Sequence, residues 1–565
     1  MNTCARDRAL LVLLVLLWTA CSGPSPDAGV PAAPDVATPS SPDTFWNGAT
    51  LYFLLTDRFR NGDPGNDLAL GRLRDGAVLR GFQGGDLAGV LEELRGGYFD
   101  SLGVNALWMT PFVEQNRGPT DEGTGRTYGY HGYWTRDWTA VDPALGTEDD
   151  LRAVVRAAHA RGIRVIMDAV LQHTGPVTEE DPEWPDTWVR TEPRCRFQSY
   201  ATTVDCTLVA NLPDIRTDSD EPVDLPDFLV EKWNEEGRLD QERSELDAFF
   251  GRTGHPRAPR FYVIKWLTDW VREMGFDGYR VDTAKHFEER VSLELRREAE
   301  VAFADWKAAN PDQVLDDLPF YMLGEVYNYD IANGRGFDFG DRTVDFFSHG
   351  YDGLINFGFK RDAAGDLDPL FSRYAATLRD GALRGRSVVN YVSSHDDGAP
   401  YDPDREDPLG TGTRLLLAPG TAQIYYGDEV ARPLRIPGAE GDANLRSVMD
   451  WGSLDEGATA TRHVLEHWRK LGRFRSAHPA VGAGAHARLQ ADPYVFSRVL
   501  TGSEGSDRVV VALDVPTGVK TIPVGGVFAD GTTLTDAYSG TSAVVTGGSL
   551  ILDTPFVLVL LAEAG

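Results

Sequence analysis

Cysteine is scarce in this sequence, with four among 565 residues, and so is histidine, with 11. No group of the two has the close spacing of a zinc site, which excludes a zinc-nucleated fold. Positive charge is short as well: 55 Lys and Arg stand against 86 Asp and Glu, a formal charge of −31. Nucleic acid and anionic membrane surfaces both require basic patches, so neither is expected as a partner. No apolar run has the length of a comfortable membrane span. What is present is 42% hydrophobic and 25% charged residues, in a chain long enough for several domains or one large barrel with appendages.

The N-terminus points to export. Arg6 and Arg8 precede an apolar run from Ala9 to Ala20, the proportions of a signal peptide. Cys21 follows Thr19 and Ala20 and precedes Ser22 and Gly23, a pattern like that of a bacterial lipoprotein signal. Residues 1–20 would then be removed and Cys21 lipidated, with ordinary cleavage as the alternative because Trp18 replaces the usual aliphatic residue. Residues 21–44 are Pro, Ser, Ala and Asp with almost no large apolar group, and read as a disordered tether. Cys4 falls in the signal, which leaves Cys195 and Cys206 as an even pair in an exported chain, expected to form a disulfide. The expected location is the periplasm, the outer membrane as a lipoprotein, or the exterior. Membrane contact would be only through the lipid anchor.

From Thr50 onward strands and helices alternate. Short β-rich runs are expected as strands at 50–55, 104–109, 163–168, 276–281, 321–324, 354–357, 388–392 and 422–426. Helices are expected between them, at 87–98 and after a capping box at Thr147 to Asp150. Eight such repeats predict a parallel (β/α)8 TIM barrel over residues 45–480. Residues 174–258, after the third strand, are too long for a connection and predict an inserted domain holding the Cys195–Cys206 pair. Residues 481–565 change to short alternating strands and predict a C-terminal antiparallel β-sandwich domain.

In such a barrel the chemistry sits at the C-terminal strand ends. There the sequence supplies Asp168 and His173, then Arg280 and Asp282, then Glu325, then His395 and Asp396. Arg280 and Asp282 are two apart on a strand and share a face, so the guanidinium is expected to keep the carboxylate ionised. No nucleophilic serine or cysteine joins them. Converging carboxylates suit glycoside hydrolysis, in which one attacks the anomeric carbon and another protonates the leaving oxygen.

The motifs DAVLQH (168–173), LPDI (212–215), GYRVDTAKH (278–286), LGEV (323–326), VSSHDD (392–397) and PGTAQIYYGDE (419–429) occur in this order. Together they cover nearly all of residues 46–480 and are similar to those of the α-amylase family, glycoside hydrolase family 13. The long insert resembles that of periplasmic α-amylases of Gram-negative bacteria. The resemblance implies Asp282 as nucleophile, Glu325 as general acid/base and Asp396 as stabiliser of the transition state. It implies Arg280 as the partner of Asp282, and His173 and His395 as donors to sugar hydroxyls. Lys285 and His286 would contact the sugar across the scissile bond, and Tyr133 would stack on the reacting ring with His131 and Trp134 nearby. Asp168 would be a supporting residue.

Calcium is the implied cofactor. RNGDPGND (60–67) with GGD (84–86) resembles the N-terminal calcium loop of cyclodextrin glucanotransferases, with Asn61, Asp63, Asn66, Asp67 and Asp86 giving side-chain oxygens and Gly84 a carbonyl. At the family's shared calcium site Asp214 and the His286 carbonyl are present, but Gln172 replaces an asparagine and Val204 an acid. That leaves it short of the six to eight oxygens calcium takes. The resemblance implies a monomeric α-amylase that cleaves α-1,4 bonds inside starch or maltodextrin chains with retention. The alternatives are a related transglycosylase, an exo-acting α-glucosidase, or a catalytically silent sugar-binding protein.

Overall fold

The computed structural model describes residues 42–502 and 505–564. Eight parallel strands close into a barrel in chain order. They are β1 (Thr50–Leu54), β2 (Ala106–Met109), β3 (Arg164–Ala169), β4 (Gly278–Val281), β5 (Tyr321–Gly324), β6 (Gly353–Asn356), β7 (Ser387–Tyr391) and β8 (Thr421–Tyr425). β1 pairs with β2, Leu51 opposite Ala106, and with β8, Thr50 opposite Ala422, so the sheet has no edge. Every residue of the eight strands is buried. One face fills the barrel and the other lies under helices, which is why the strands read as continuous apolar runs.

Local chemistry sets the boundaries. Thr147 caps the helix Glu148–His159 with the reciprocal pair Asp150 N to Thr147 Oγ1 (3.2 Å) and Thr147 N to Asp150 Oδ2 (2.9 Å). The helix expected over 87–98 breaks at Gly97, whose φ of 76° ends Leu87–Gly96 before a short turn Tyr98–Ser101. The helix Pro259–Met274 ends at Gly275, at φ 87°, where a Cβ would fall 2.1 Å from the Trp306 ring. Only glycine can turn the chain there into β4. β4 begins at Gly278, two residues after the expected Phe276, because Asp277 is spent on a junction. Its carboxylate accepts from Val165 N at 2.8 Å and lies 2.9 Å from His159 Nε2.

The long segment after β3 carries a two-stranded antiparallel pair, Val189–Arg190 with Asp214–Ile215, and the bonded cysteines Cys195 and Cys206. Helices Asp227–Glu235 and Leu239–Thr253 complete it. At the C-terminus a six-stranded antiparallel sheet from Ala485 to Glu563 faces the pair Gly518–Pro523 and Ser549–Thr554. Val510, Ile522, Leu534, Leu550 and Leu561 fill the space between the two sheets. The signal segment 1–20, Cys21 and most of the tether lie outside the described residues. The described chain begins with a helix Pro42–Gly48, anchored by Trp46, which stacks on Tyr321 at 3.7 Å. Among the described residues no helix is long and apolar enough to cross a membrane.

Candidate active site

The backbone ladder carries the key side chains to one end of the barrel. Arg280 on β4 stands opposite Asp168 on β3. The ladder runs one step past the strand ends, with Asp282 N donating to Ala169 O and Glu325 N to Val281 O, both at 3.0 Å. Asp282 and Glu325 therefore emerge side by side, and Asp396 follows β7 into the same space with His395 against it.

One guanidinium organises the carboxylates. Arg280, 1% exposed, places Nη1 2.6 Å from Asp282 Oδ1 and 2.9 Å from Asp168 Oδ1, and Nη2 2.9 Å from Glu325 Oε2. Asp168 is held from its other side by Trp108 Nε1 at 3.0 Å and the Tyr133 hydroxyl at 2.7 Å, so it is fully occupied. Glu325 Oε2 also accepts from Thr283 N at 2.9 Å. Asp282 Oδ2 is buried and has no hydrogen-bond partner among the described residues; His173 Nδ1 is 4.0 Å away.

The expectation that Arg280 keeps the Asp282 carboxyl low needs correction. Burial pushes it well above the ordinary carboxylate range, Arg280 opposes this, and Glu325, Asp168 and Asp396 add to the rise. Three carboxylates around one guanidinium leave excess negative charge in a dry site, so they titrate as a coupled set. Asp396 behaves in the opposite way. It is 40% exposed, and the partial desolvation that raises it is outweighed by His395 Nε2 at 2.8 Å and Arg446 Nη2 at 2.6 Å, which hold it well below the usual range.

Asp282, Glu325, Asp396 and Arg446 line a cavity of about 210 Å³ together with Tyr133, His131 and His173. Tyr133 stacks between His131 at 5.8 Å and His395 at 5.3 Å. Burial pushes His131 well below the usual imidazole value and His173 down to about 4, so both rings are neutral at pH 7. Trp134 does not line the cavity; it is buried against the outer edge of His131. Lys285 and His286 also lie outside it. Lys285 Nζ donates to Tyr327 O at 3.0 Å, and its ammonium is pushed down to about 8 by burial. His286 Nδ1 is 2.9 Å from Thr203 O of the inserted segment. Exposed Phe197 and Tyr327 flank them.

Several cavity residues escaped the sequence reading. Arg446, in the loop after β8, binds Asp396, Asp442 Oδ2 at 2.8 Å and the His395 carbonyl at 3.1 Å. Arg80 reaches Asp442 Oδ1 at 2.8 Å, and Glu122 and Thr127 complete the same wall. The only available signal was an arginine with an aspartate four before it, which is commonplace on any helical turn.

In the N-terminal loop, Asp86 accepts from Gly62 N (2.9 Å), Asp63 N (2.7 Å) and Gly89 N (2.7 Å), capping the helix that follows. Asn61 Nδ2 donates to Asp67 Oδ1 at 2.7 Å, and a Cβ at Gly84 would fall 2.5 Å from both atoms. Asn66 Oδ1 is buried and has no hydrogen-bond partner among the described residues. Asp67 also pairs with Arg74, so a calcium ion held by the orphaned Asn66 oxygen and its Asp and Asn neighbours would have to displace that arginine.

A family model for the α-amylase catalytic domain matches residues 53–323. The periplasmic α-amylase of Escherichia coli is 36% identical over 527 residues, covering 82% of this chain and 72% of that one. The chain belongs to the α-amylase family. It is a glycoside hydrolase of that family, acting on α-glucans. A cyclomaltodextrinase of Bacillus sp is 28% identical over 82% of this chain and 72% of its own. The crystal structure of the Geobacillus thermoleovorans α-amylase complexed with acarbose shares the fold at a TM-score of 0.63 and 22% identity, over 92% of this chain and 99% of that one.

Proposed function

We propose that this α-amylase family member is an endo-acting α-amylase that hydrolyses α-1,4 bonds of starch or maltodextrins with retention. The observation that carries the reading is the single guanidinium of Arg280 holding Asp282 and Glu325 side by side while Asp282 Oδ2 stays free. A retaining mechanism needs its two carboxyls about 5 Å apart, and neighbouring nitrogens of one guanidinium favour that spacing.

In the proposed sequence Asp282 Oδ2 attacks the anomeric carbon, the glycosidic C–O bond breaks, and the proton carried by Glu325 passes to the departing oxygen. Glu325 then takes a proton from a water molecule that attacks the same carbon and releases Asp282. Asp396, kept ionised by His395 and Arg446, binds sugar hydroxyls and stabilises the positive charge developing on the ring. Arg280 balances the carboxylates, and Tyr133 offers its ring to the apolar face of the sugar. His131, His173 and His395 bind hydroxyls around that sugar. Trp134 supports His131, and Lys285 and His286 face the leaving chain with Tyr327 and Phe197 beside them.

Residues 45–480 would form the catalytic barrel, 174–258 the inserted domain and 481–565 the sandwich, in a monomer exported as a lipoprotein on Cys21. The E. coli relative is periplasmic by name, which supports export. Calcium, if bound, would be held by Asn61, Asp63, Asn66, Asp67 and the Gly84 carbonyl, with Asp86 shaping the loop, and would supply cross-linking of that loop to the barrel. The test of endo action is a maltoheptaose blocked at its non-reducing end. Internal cleavage is expected; cleavage only of unblocked chains would instead indicate exo action, and products longer than the substrate would indicate glucanotransferase activity.

A further inference from the structure

The calcium site shared across the family would join the inserted segment to the barrel on Asp214, the His286 carbonyl and the positions of Gln172 and Val204. In this chain those residues do not fit a cation. Asp214 is 2% exposed; the Gln172 amide donates to its Oδ1, and the Arg190 guanidinium lies against Oδ2 as an ion pair, its Nε 2.9 Å away and not aligned for a hydrogen bond. Val204 is buried and offers no side-chain oxygen.

We propose that Arg190 is a fixed internal cation that replaces calcium at this junction. Its position is set by the backbone: Arg190 and Asp214 are opposite each other in the antiparallel pair, and Asp214 is bridged in turn to His173 beside the active cavity. The guanidinium is 10% exposed. Besides Asp214 it binds the Asp218 carboxylate and stands 3.9 Å from Asp205 Oδ1. Asp205, Asp218 and Glu288 bring carboxylate oxygens within 4.8 Å of one another, an arrangement that repels itself unless a cation is near. Arg190 reaches two of the three. Glu288 stands two residues past His286, so the cluster ties the inserted segment to the loop after β4.

A guanidinium offers five donors in a plane and cannot dissociate or be chelated. The junction therefore holds whether or not divalent cations are present, unlike one whose anchor must be bound from solution. The same carboxylates explain what its removal would do: a small side chain at residue 190 leaves a partly buried, anionic hollow of the kind calcium fills.

The experiment counts calcium in chelator-treated and calcium-reloaded protein by mass spectrometry, and measures Tm in calcium and in EDTA. Asp214→Asn is expected to leave the calcium count of the otherwise wild-type chain unchanged. Arg190→Ala is expected to bind about one calcium per chain more than wild type, with a Tm that calcium raises further than it raises wild type. Arg190→Lys, which keeps a cation, is expected to match the wild-type count. Loss of one calcium in Asp214→Asn would overturn the proposal, and so would an Arg190→Ala chain with the wild-type count. Any calcium in the N-terminal loop is common to all variants and cancels. Should Arg190→Ala fail to fold, Asp214→Asn still decides between the two outcomes.

Discussion

Arg280 Nη1 lies 2.6 Å from Asp282 Oδ1, while the second oxygen of the same carboxylate is buried and unpartnered. Desolvating half a carboxylate is costly, and a fold does not keep such a group without compensation. The guanidinium provides it on one side, and on the other the oxygen is available to attack. Asp282→Asn keeps the shape and removes the proposed nucleophile. Turnover of maltoheptaose is expected to fall on the order of 10⁴-fold or more. Tm is expected to hold or rise, because one of three like charges around Arg280 is gone. Kinetics and thermal unfolding on the same preparation check both.

Arg446→Met tests the residue that holds Asp396 from the far side. Asp396 would lose one of its two cationic partners, and kcat/KM is expected to fall about 10²- to 10³-fold, most of it in kcat. Guanidinium ion added to the variant is expected to restore part of the rate. A change in KM alone would mean that Arg446 only binds ground-state sugar.

His467 gives a stability prediction with a definite sign. It lies on the helix Thr459–Ala477, 2.7 Å from the Tyr538 hydroxyl of the C-terminal domain and 2.9 Å from Leu409 O. Burial pushes its imidazole down to about 4. A histidine lowered in the folded state contributes stability that is full above its unfolded value near 6.5 and is lost as pH falls toward 4. The loss is on the order of 3 kcal/mol at most. His467→Asn is expected to lose less Tm than wild type between pH 7 and pH 5, as measured by calorimetry.

The paired substitution Asn66→Ala and Asp67→Ala removes loop oxygens without touching the Asp86 helix cap. Bound calcium is expected to fall by about one per chain, and the Tm gained from calcium is expected to vanish. An unchanged count would remove the loop as a site.

Much of this molecule was legible from local pattern. The eight strands are apolar because both faces are covered, and Gly275 marks the turn into β4 because Trp306 leaves no room for a side chain. That Asp282, Glu325 and Asp396 would meet at one end of the barrel was legible because a strand end is a fixed place in the sequence. Arg446 and Arg190 could not. Each acts through partners across irregular loops, and no periodicity records which carboxylate a long flexible arginine will meet. Trp134 misled for the reverse reason: it lies one residue from Tyr133, and neighbours in an extended loop point to opposite sides. Burial was also underestimated at Asp282, where dryness outweighs a salt bridge that sequence alone makes prominent.

The most direct test of the central claim follows the anomeric proton of newly released maltodextrin by NMR during the first minutes of hydrolysis, before mutarotation. A double displacement through Asp282 predicts that the α-anomer appears first and decays toward equilibrium. The β-anomer appearing first would contradict it.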